Sequence, residues 1–556
     1  MAKPLIAIGL DAADPSLIEE WTAKGYLPTI QRLKDQGIYS RLKTFEYYRA
    51  ETPWTTFLTG CAPQQTGYWA PLKFYPNDYS VEEIQAYQFD EYRPFYDLCK
   101  ERQVAVFDMP QSVLSEQVDG IQVLAWGAHS PMTASHSLPV HLLSELTEKH
   151  GAHPMLRRDH APVLNWSALK RLQAGLETGI ERRANICADL LQQKPWDFFL
   201  TVFGEPHAAG HFFWHLSRPD HPLYAYTAKA DDDPLLSTFQ SIDRAIAKIV
   251  DAAPADANFM VFAAHGMGAN VMDLPSMVFL PEFLYRWNFP GCIGLAAGKS
   301  GSLPDKPIVG LRAQQGWLGT MWSLKHDRNL LLRTLRRALP RKIFDKVTAL
   351  LPKSQQPDLV SPFQLKLESH PLYFQAPLWY REFWPQMKAF ALPSFSEGYV
   401  RINLQGRETA GIVSPDDYDI VCQELTDSLY QLKDARTGTP MVEQVIRTRS
   451  HAGDLNPKHP DADLVVIWQD SYATDTVESP IHGRIGPVPY LRTGSHRSDG
   501  FLVMNGPDIP ENASVPAGHA LDLAPTVLDL MNIEIPEYFT GKSMFPDRAL
   551  SGFRES

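Results

Sequence analysis

The sequence predicts an α/β protein with a mostly parallel central sheet, helices on both faces and an inserted cap region. Two observations point there. The runs LIAIGLD (5–11), VAVFDMP (104–110), FFLTVFGEPH (198–207), FMVFAAHG (259–266), DLVVIWQD (463–470) and GFLVMNGPD (500–508) are continuously apolar rather than alternating. That is the pattern of strands buried on both faces. Helix-like stretches separate them, among them ADPSLIEEWTAKG, LETGIERRANICADLLQQ and LLSTFQSIDRAIAKIVDAA. Strand–helix alternation builds a parallel sheet covered on both sides.

Each element has its place in that plan. The 556 residues exceed one simple core, so insertions are expected. Residues 271–400 break the rhythm, being rich in Pro, Trp, Phe and basic residues. The expected division is therefore a core of 1–270 and 401–556 with 271–400 as a cap. Phe279, Phe283, Trp287, Trp317, Trp322, Trp379 and Trp384 are expected to form the cap's own small core. Its basic stretch LLLRTLRRALPRKIFDKVTALLPK reads as an amphipathic helix with a solvated charged face.

Composition narrows the partners. A net charge of −12 without a long basic run argues against a nucleic acid duplex. No segment reaches 18 uninterrupted apolar residues, so no membrane span is expected. The N-terminus lacks the apolar core of a secretion signal. Five dispersed cysteines form no CxxC pair, which excludes a disulfide framework or thiolate metal site and suits the cytoplasm. Oligomeric state is not encoded in these patterns.

Chemistry concentrates at strand ends. Ligands of open parallel sheets gather beyond the carboxyl ends of the strands. Asp11, His207 and His265 each follow an apolar run, and His496 stands just before one. In EPHAAGH, His207 and His211 are four apart, on one face of a helix. Neutral imidazoles so placed suit zinc and similar cations. By itself such a pair is as often packing or surface histidine; the other strand ends favour the metal. In RAETPWTTFLTG, Thr52 precedes Pro53, the pattern of an N-cap before a first helical residue. A helix N-terminus attracts anions, and a hydroxyl there, beside metals, suits attack on a phosphoryl centre.

In these pieces and their order, from GLDAADP to DLAPTVLDLMNIEIPEYFTGKSM, the chain resembles the alkaline phosphatase superfamily. It looks most like the type I phosphodiesterase/nucleotide pyrophosphatase branch. The resemblance implies an α/β fold, two divalent metals (usually zinc), a Thr or Ser nucleophile with a covalent intermediate, and hydrolysis of phosphate esters. It matches the metal positions to Asp11, His207, His211, His265 and His496. It also implies departures. His207 stands where the family has aspartate, Ala264 replaces the aspartate before His265, and Thr66 stands where a histidine is expected. Counting nine residues back from Thr59 places the nucleophile at Ala50. Thr52 lies two residues later, with Glu51 between.

The expected site is thus Thr52 and Glu51 for catalysis, with Glu51 supplying the oxygen that Ala264 lacks, and one or two zinc ions on the five ligands. The substrate is expected to be a small anion, a phosphate ester. Arg497, Arg484 and Arg492 are candidate anion contacts; Arg497 is equally a partner for Asp499. Three outcomes stay open: attack by Thr52, direct attack by activated water, or a protein that binds an anion or metal without hydrolysis. His215 reads as a satisfied polar residue and Asp14 as a helix cap. His482, His221 and the His150/His153 pair read as surface residues.

Overall fold

Leu5–Leu10 (β1) is buried along its whole length, and its neighbours explain why. In the computed structural model, which describes residues 2–545 apart from 85, 128, 130–132, 296–302, 310–315, 340, 349–356, 471 and 512–514, this strand lies inside a nine-stranded sheet. The other strands are Ile38–Lys43 (β2), Val104–Phe107 (β3), Gly120–Leu124 (β4), His136–Leu138 (β5), Phe198–Phe203 (β6), Asn258–Ala263 (β7), Asp499–Asn505 (β8) and Gly518–His519 (β9). Their order is β9-β2-β8-β7-β1-β6-β3-β4-β5. The central strands β7, β1, β6, β3 and β4 run parallel. β8 enters antiparallel between β7 and β2, and β5 closes the other edge antiparallel. Two hydrophobic clusters cover the two faces, one against β1 residues Ile6, Ile8 and Leu10, the other against Leu5 and Ala7. The α/β expectation is met.

The antiparallel entry of β8 matters for function. The start of β8 lies at the same rim as the ends of the parallel strands. Residues before Asp499 therefore meet residues after Leu10, Leu124, Phe203 and Ala263.

Two expectations are corrected. The run around 463–470 is a strand, Leu464–Trp468, buried on both faces. It belongs to a separate four-stranded antiparallel sheet with Ala389–Leu392, Gly398–Ile402 and Val442–Arg447. Continuous apolarity reports burial on two faces and not which sheet provides it. The return to the core expected at 401 thus falls inside a second sheet, and the nine-stranded sheet resumes only at Asp499. The cap aromatics Phe279, Phe283, Trp322, Trp379 and Trp384 form no core of their own. They join the same hydrophobic cluster as Ile6 and Phe199.

One buried charge network fastens the rim. Arg183 of the helix Trp166–Gln193 (α1) is fully buried. Its Nη2 donates to Asp108, just beyond β3, at 2.7 Å and to Glu205 at 3.4 Å. Glu205 opens the helix Glu205–Ser217 (α2) and also meets His153 Nε2 at 3.0 Å. Burial alone would raise the Glu205 carboxyl; the Arg183 charge and His153 outweigh it and hold it below its ordinary value. The guanidinium also faces the rings of Trp126 and Phe203, at 5.3 and 5.2 Å. A Cβ on Gly127 would lie 2.0 Å from Arg183 Nη2 and 2.1 Å from Asp108 Oδ2, so the network requires glycine there.

Arg183→Ala leaves two buried carboxylates without their cation. The expected loss is about 3–5 kcal/mol of stability, read from urea unfolding. A loss within the range of an ordinary surface change, about 0.5 kcal/mol, counts against the network.

Candidate metal centre

The rim is built from the backbone outward. The Asp11 N–H donates to Phe203 O at 2.9 Å, which carries the β1–β6 ladder one residue past the strand. Its carboxylate, 2% exposed, accepts from Trp54 Nε1 at 2.9 Å. Pro206 in the first turn of α2 suits a helix start, and the helix brings His207 and His211 onto one face. His265 follows β7. Beyond it Gly266–Ala269 pairs antiparallel with Gly494–Arg497, setting His496 opposite Met267. This hairpin presses against α2: a Cβ on Gly494 would lie 2.2 Å from Gly210 O.

Four imidazoles and one carboxylate expected from sequence are brought together. Ring centroids are 4.5 Å apart for His207 and His211, 4.8 Å for His207 and His496, and 5.0 Å for His211 and His496. His265 lies 5.0 Å from His496 by the same measure, and its Nε2 is 3.7 Å from Asp11 Oδ1. The side-chain nitrogens of His207, His211 and His496 lie within 4.8 Å of one another. Burial holds His207, His211 and His496 well below the usual histidine range, and His265 is lowered for the same reason. All four are neutral at pH 7.

The hydrogen bonds assign lone pairs. His211 Nδ1 lies 2.7 Å from Gly494 O and must donate to it. Its Nε2 is then bare, and accepts from Arg492 Nη1 at 3.1 Å. His207 Nε2, 2.7 Å from that same nitrogen, must carry a proton. His207 Nδ1 is consequently bare. It is buried without a hydrogen-bond partner and lies 3.3 Å from Asp11 Oδ2. Two acceptors face each other in a dry place. His496 Nδ1 and His265 Nδ1 are likewise buried and unpartnered. Such a donor set fits a divalent cation.

Arg492, a candidate anion contact from sequence, joins the cluster, and so does His129, which was not expected. Arg492 is held by a bidentate pair with Asp273, at 2.6 and 2.9 Å. His129, in the loop after β4, sets its ring edge-on to His207 with centroids 3.4 Å apart. The signal for His129 was the run GIQVLAW ahead of it, interrupted by Gln122, which is buried and bonded to Ser115.

Other expected residues stand elsewhere. The Thr52 hydroxyl donates to Tyr48 O at 2.9 Å and makes no cap bond, although Thr52 is at the N-cap of the helix Pro53–Thr59. Glu51 does not reach the cluster to replace the lost carboxylate. Its oxygens accept from Ser396 Oγ at 2.7 Å and Tyr399 Oη at 3.0 Å, because the loop 394–399 packs over it. Arg497 is pinned to the hairpin, donating to Ala269 O at 2.6 Å and lying 3.6 Å from Asp470. Asp499 pairs with Lys43 instead. Arg484 lies 3.5 Å from Glu478 on the adjoining strand. His215 is buried between Thr493 and Val163, and Asp14 caps its helix through Leu17 N, both as expected. His153 and His221 are buried rather than on the surface.

The sequence profile of the type I phosphodiesterase/nucleotide pyrophosphatase family matches residues 5–301, more than half the chain and the stretch that carries Asp11, His207, His211 and His265. The chain belongs to this family. As a family member it is a metal-dependent hydrolase of phosphate esters. No curated protein matches the chain by sequence. Among solved structures, alkaline phosphatase PafA is 12% identical, with 98% of each chain covered and a TM-score of 0.50. Phosphonoacetate hydrolase from Sinorhizobium meliloti 1021 is 12% identical over 96% of each chain, TM-score 0.47. Murine ectonucleotide pyrophosphatase/phosphodiesterase 5 is 11% identical over 99% of each chain, TM-score 0.47. At these identities the likeness is one of fold. No helix among the described residues is long and apolar enough to cross a membrane.

Glu51 yields a pH prediction. Burial, and then the neighbouring Glu397, push its carboxyl up to about 7. The folded chain therefore keeps a proton that the unfolded chain releases near pH 4.5, and stability falls as pH rises from there through 7. Glu51→Gln removes that term. Melting temperatures at pH 5 and pH 8 should fall further in the wild type than in the variant. Parallel falls would show that Glu51 is not the titrating group.

Proposed function

We propose that the chain hydrolyses a small phosphate ester at the histidine cluster, with zinc as the cation and with water, not Thr52, attacking phosphorus. The observation that carries this reading is the meeting of bare, neutral imidazole nitrogens in a buried pocket. His207, His211 and His496 supply three nitrogens, a set that holds zinc and leaves a position open. Asp11 and His265 stand at its edge. A cation bound there supplies a lowered water pKa and positive charge opposite the phosphoryl oxygens.

The chain's own groups do the rest. The Gly494 carbonyl fixes the His211 tautomer, so that Nε2 faces the pocket. Trp54 orients Asp11 in the same way. Arg492, held by Asp273, brings a fixed guanidinium for an anionic oxygen. Histidine at 207 in place of a carboxylate leaves the pocket one unit more positive, which favours the more highly charged ester. The position expected for the nucleophile is Ala50, and the nearest aliphatic hydroxyl along the chain, Thr52, is bonded to Tyr48 O. Both support attack by water. The five cysteines are free thiols, four of them buried, in keeping with a reducing compartment such as the cytoplasm.

Turnover of bis(4-nitrophenyl) phosphate and 4-nitrophenyl phosphate tests this. Thr52→Ala should cost less than about tenfold; a fall on the order of a thousandfold or more would make Thr52 the nucleophile. His211→Ala should abolish turnover and remove bound zinc, measured by plasma emission. Arg492→Ala should raise KM roughly tenfold, with kcat nearly kept.

A further inference from the structure

We infer that His129, positioned by Asp159, is a cation ligand of this protein, forming with Asp11 and His207 a second position beside the three-histidine one. The inference rests on the proposed metal-dependent reading and adds a ligand to it. Ala264 has removed a carboxylate from the neighbourhood of His265, so the second position needs a donor from elsewhere. The geometry supplies one from a different strand end.

Three observations converge. First, ligand atoms of Asp11, His129 and His207 all lie within 4.8 Å of one another. Second, His207 Nδ1 is buried, lacks a hydrogen-bond partner and faces Asp11 Oδ2 at 3.3 Å, on the side away from its contact with His211. An acceptor opposed by a carboxylate oxygen wants positive charge between or beside the two. Third, His129 is held in a costly conformation. Its φ is +51°, in the left-handed region that a side chain with a Cβ seldom adopts. Asp159 Oδ2 holds it there, accepting its backbone N–H at 3.1 Å and lying 3.6 Å from its Nδ1. Asp159 thereby orients the ring, the arrangement by which carboxylates position metal-bound histidines. Gly127, two residues before His129, sits against the Arg183–Asp108 pair, and Arg183 also meets Glu205 at the start of the helix of His207. Asp11, His129 and His207 would hold the second cation, and a cation taking His207 Nε2 would displace the proton that nitrogen carries in the empty site.

Metal binding tests this without recourse to turnover. The chelator-stripped full chain is titrated with Co²⁺, followed by its visible absorption, and metal is counted by plasma emission after desalting. Wild type should bind two equivalents. His129→Ala should bind one, keeping the band of the three-histidine position, with the melting temperature of the metal-free protein unchanged to show that it folds. His129→Asp, which restores a ligand and tolerates the left-handed backbone, should recover the second equivalent. Asp159→Asn should keep two equivalents but weaken the second about 10- to 100-fold. A wild type that binds one equivalent, or a His129→Ala protein that binds two, overturns the inference and leaves the three-histidine reading standing. A wild type that binds none overturns both.

Discussion

Buried lone pairs that face one another carry the site. Neutral imidazoles repel no proton-bearing neighbour, yet a bare nitrogen aimed at a carboxylate oxygen in a dry pocket is unfavourable unless positive charge lies close by. His207 is in that position, with Asp11 on one side and His211 on the other. Burial has depressed the histidines too far for a proton to serve at neutral pH. Arg492 meets part of the demand at His211 and is itself neutralised by Asp273. What remains is the place of a divalent cation.

Such an arrangement survives only if the rim cannot relax. Left free, the side chains would rotate until each found a donor. The fold prevents this at three points. Arg183 ties the first turn of α2 to the end of β3. The Gly266–Ala269 hairpin strand and its partner hold His496 while Thr493 N–H donates to His211 O at 2.7 Å. Trp54 fixes Asp11 from the helix that follows Thr52. Each anchor is a buried polar contact with at least one partner outside the cluster. The ordering entropy of the site is met during folding, before any ligand arrives.

Much of this was legible in the sequence, and the rest was hidden for identifiable reasons. Strands buried on both faces read as apolar runs, so Asp11, His207 and His265 stood out at their ends. His496 was legible because β8 begins right after it. His129 was not: its strand contains Gln122, whose amide is satisfied inside the sheet by Ser115, and one polar letter broke the run. Glu51 was misplaced because spacing along the chain says nothing of the 394–399 loop, which is over 300 residues away and takes both its oxygens. Arg497 was drawn to the site by its neighbour His496, but successive residues of a strand point to opposite faces. The strand at 464–468 shows the same limit, since burial on two faces can be provided by any two layers.

The departures from the family pattern are coherent when charge is followed. Two positions that the resemblance fills with aspartate hold His207 and Ala264, and the hydroxyl position holds Ala50. Each change removes a negative or incipiently negative group from the rim. Of the carboxylates the resemblance places at the metals, Asp11 is left between the histidines, and its Oδ1 already accepts from Trp54; Asp159 lies behind His129. Cations held by such a set keep more of their charge than cations held by several carboxylates. That strengthens the pull on an anionic ester, and it lowers further the pKa of a coordinated water. On the proposed reading a nucleophilic side chain would be dispensable, because water activated at a bound cation would leave no covalent adduct to resolve. On that reading the missing hydroxyl at position 50 and the added imidazole at 207 would belong to one change in chemistry.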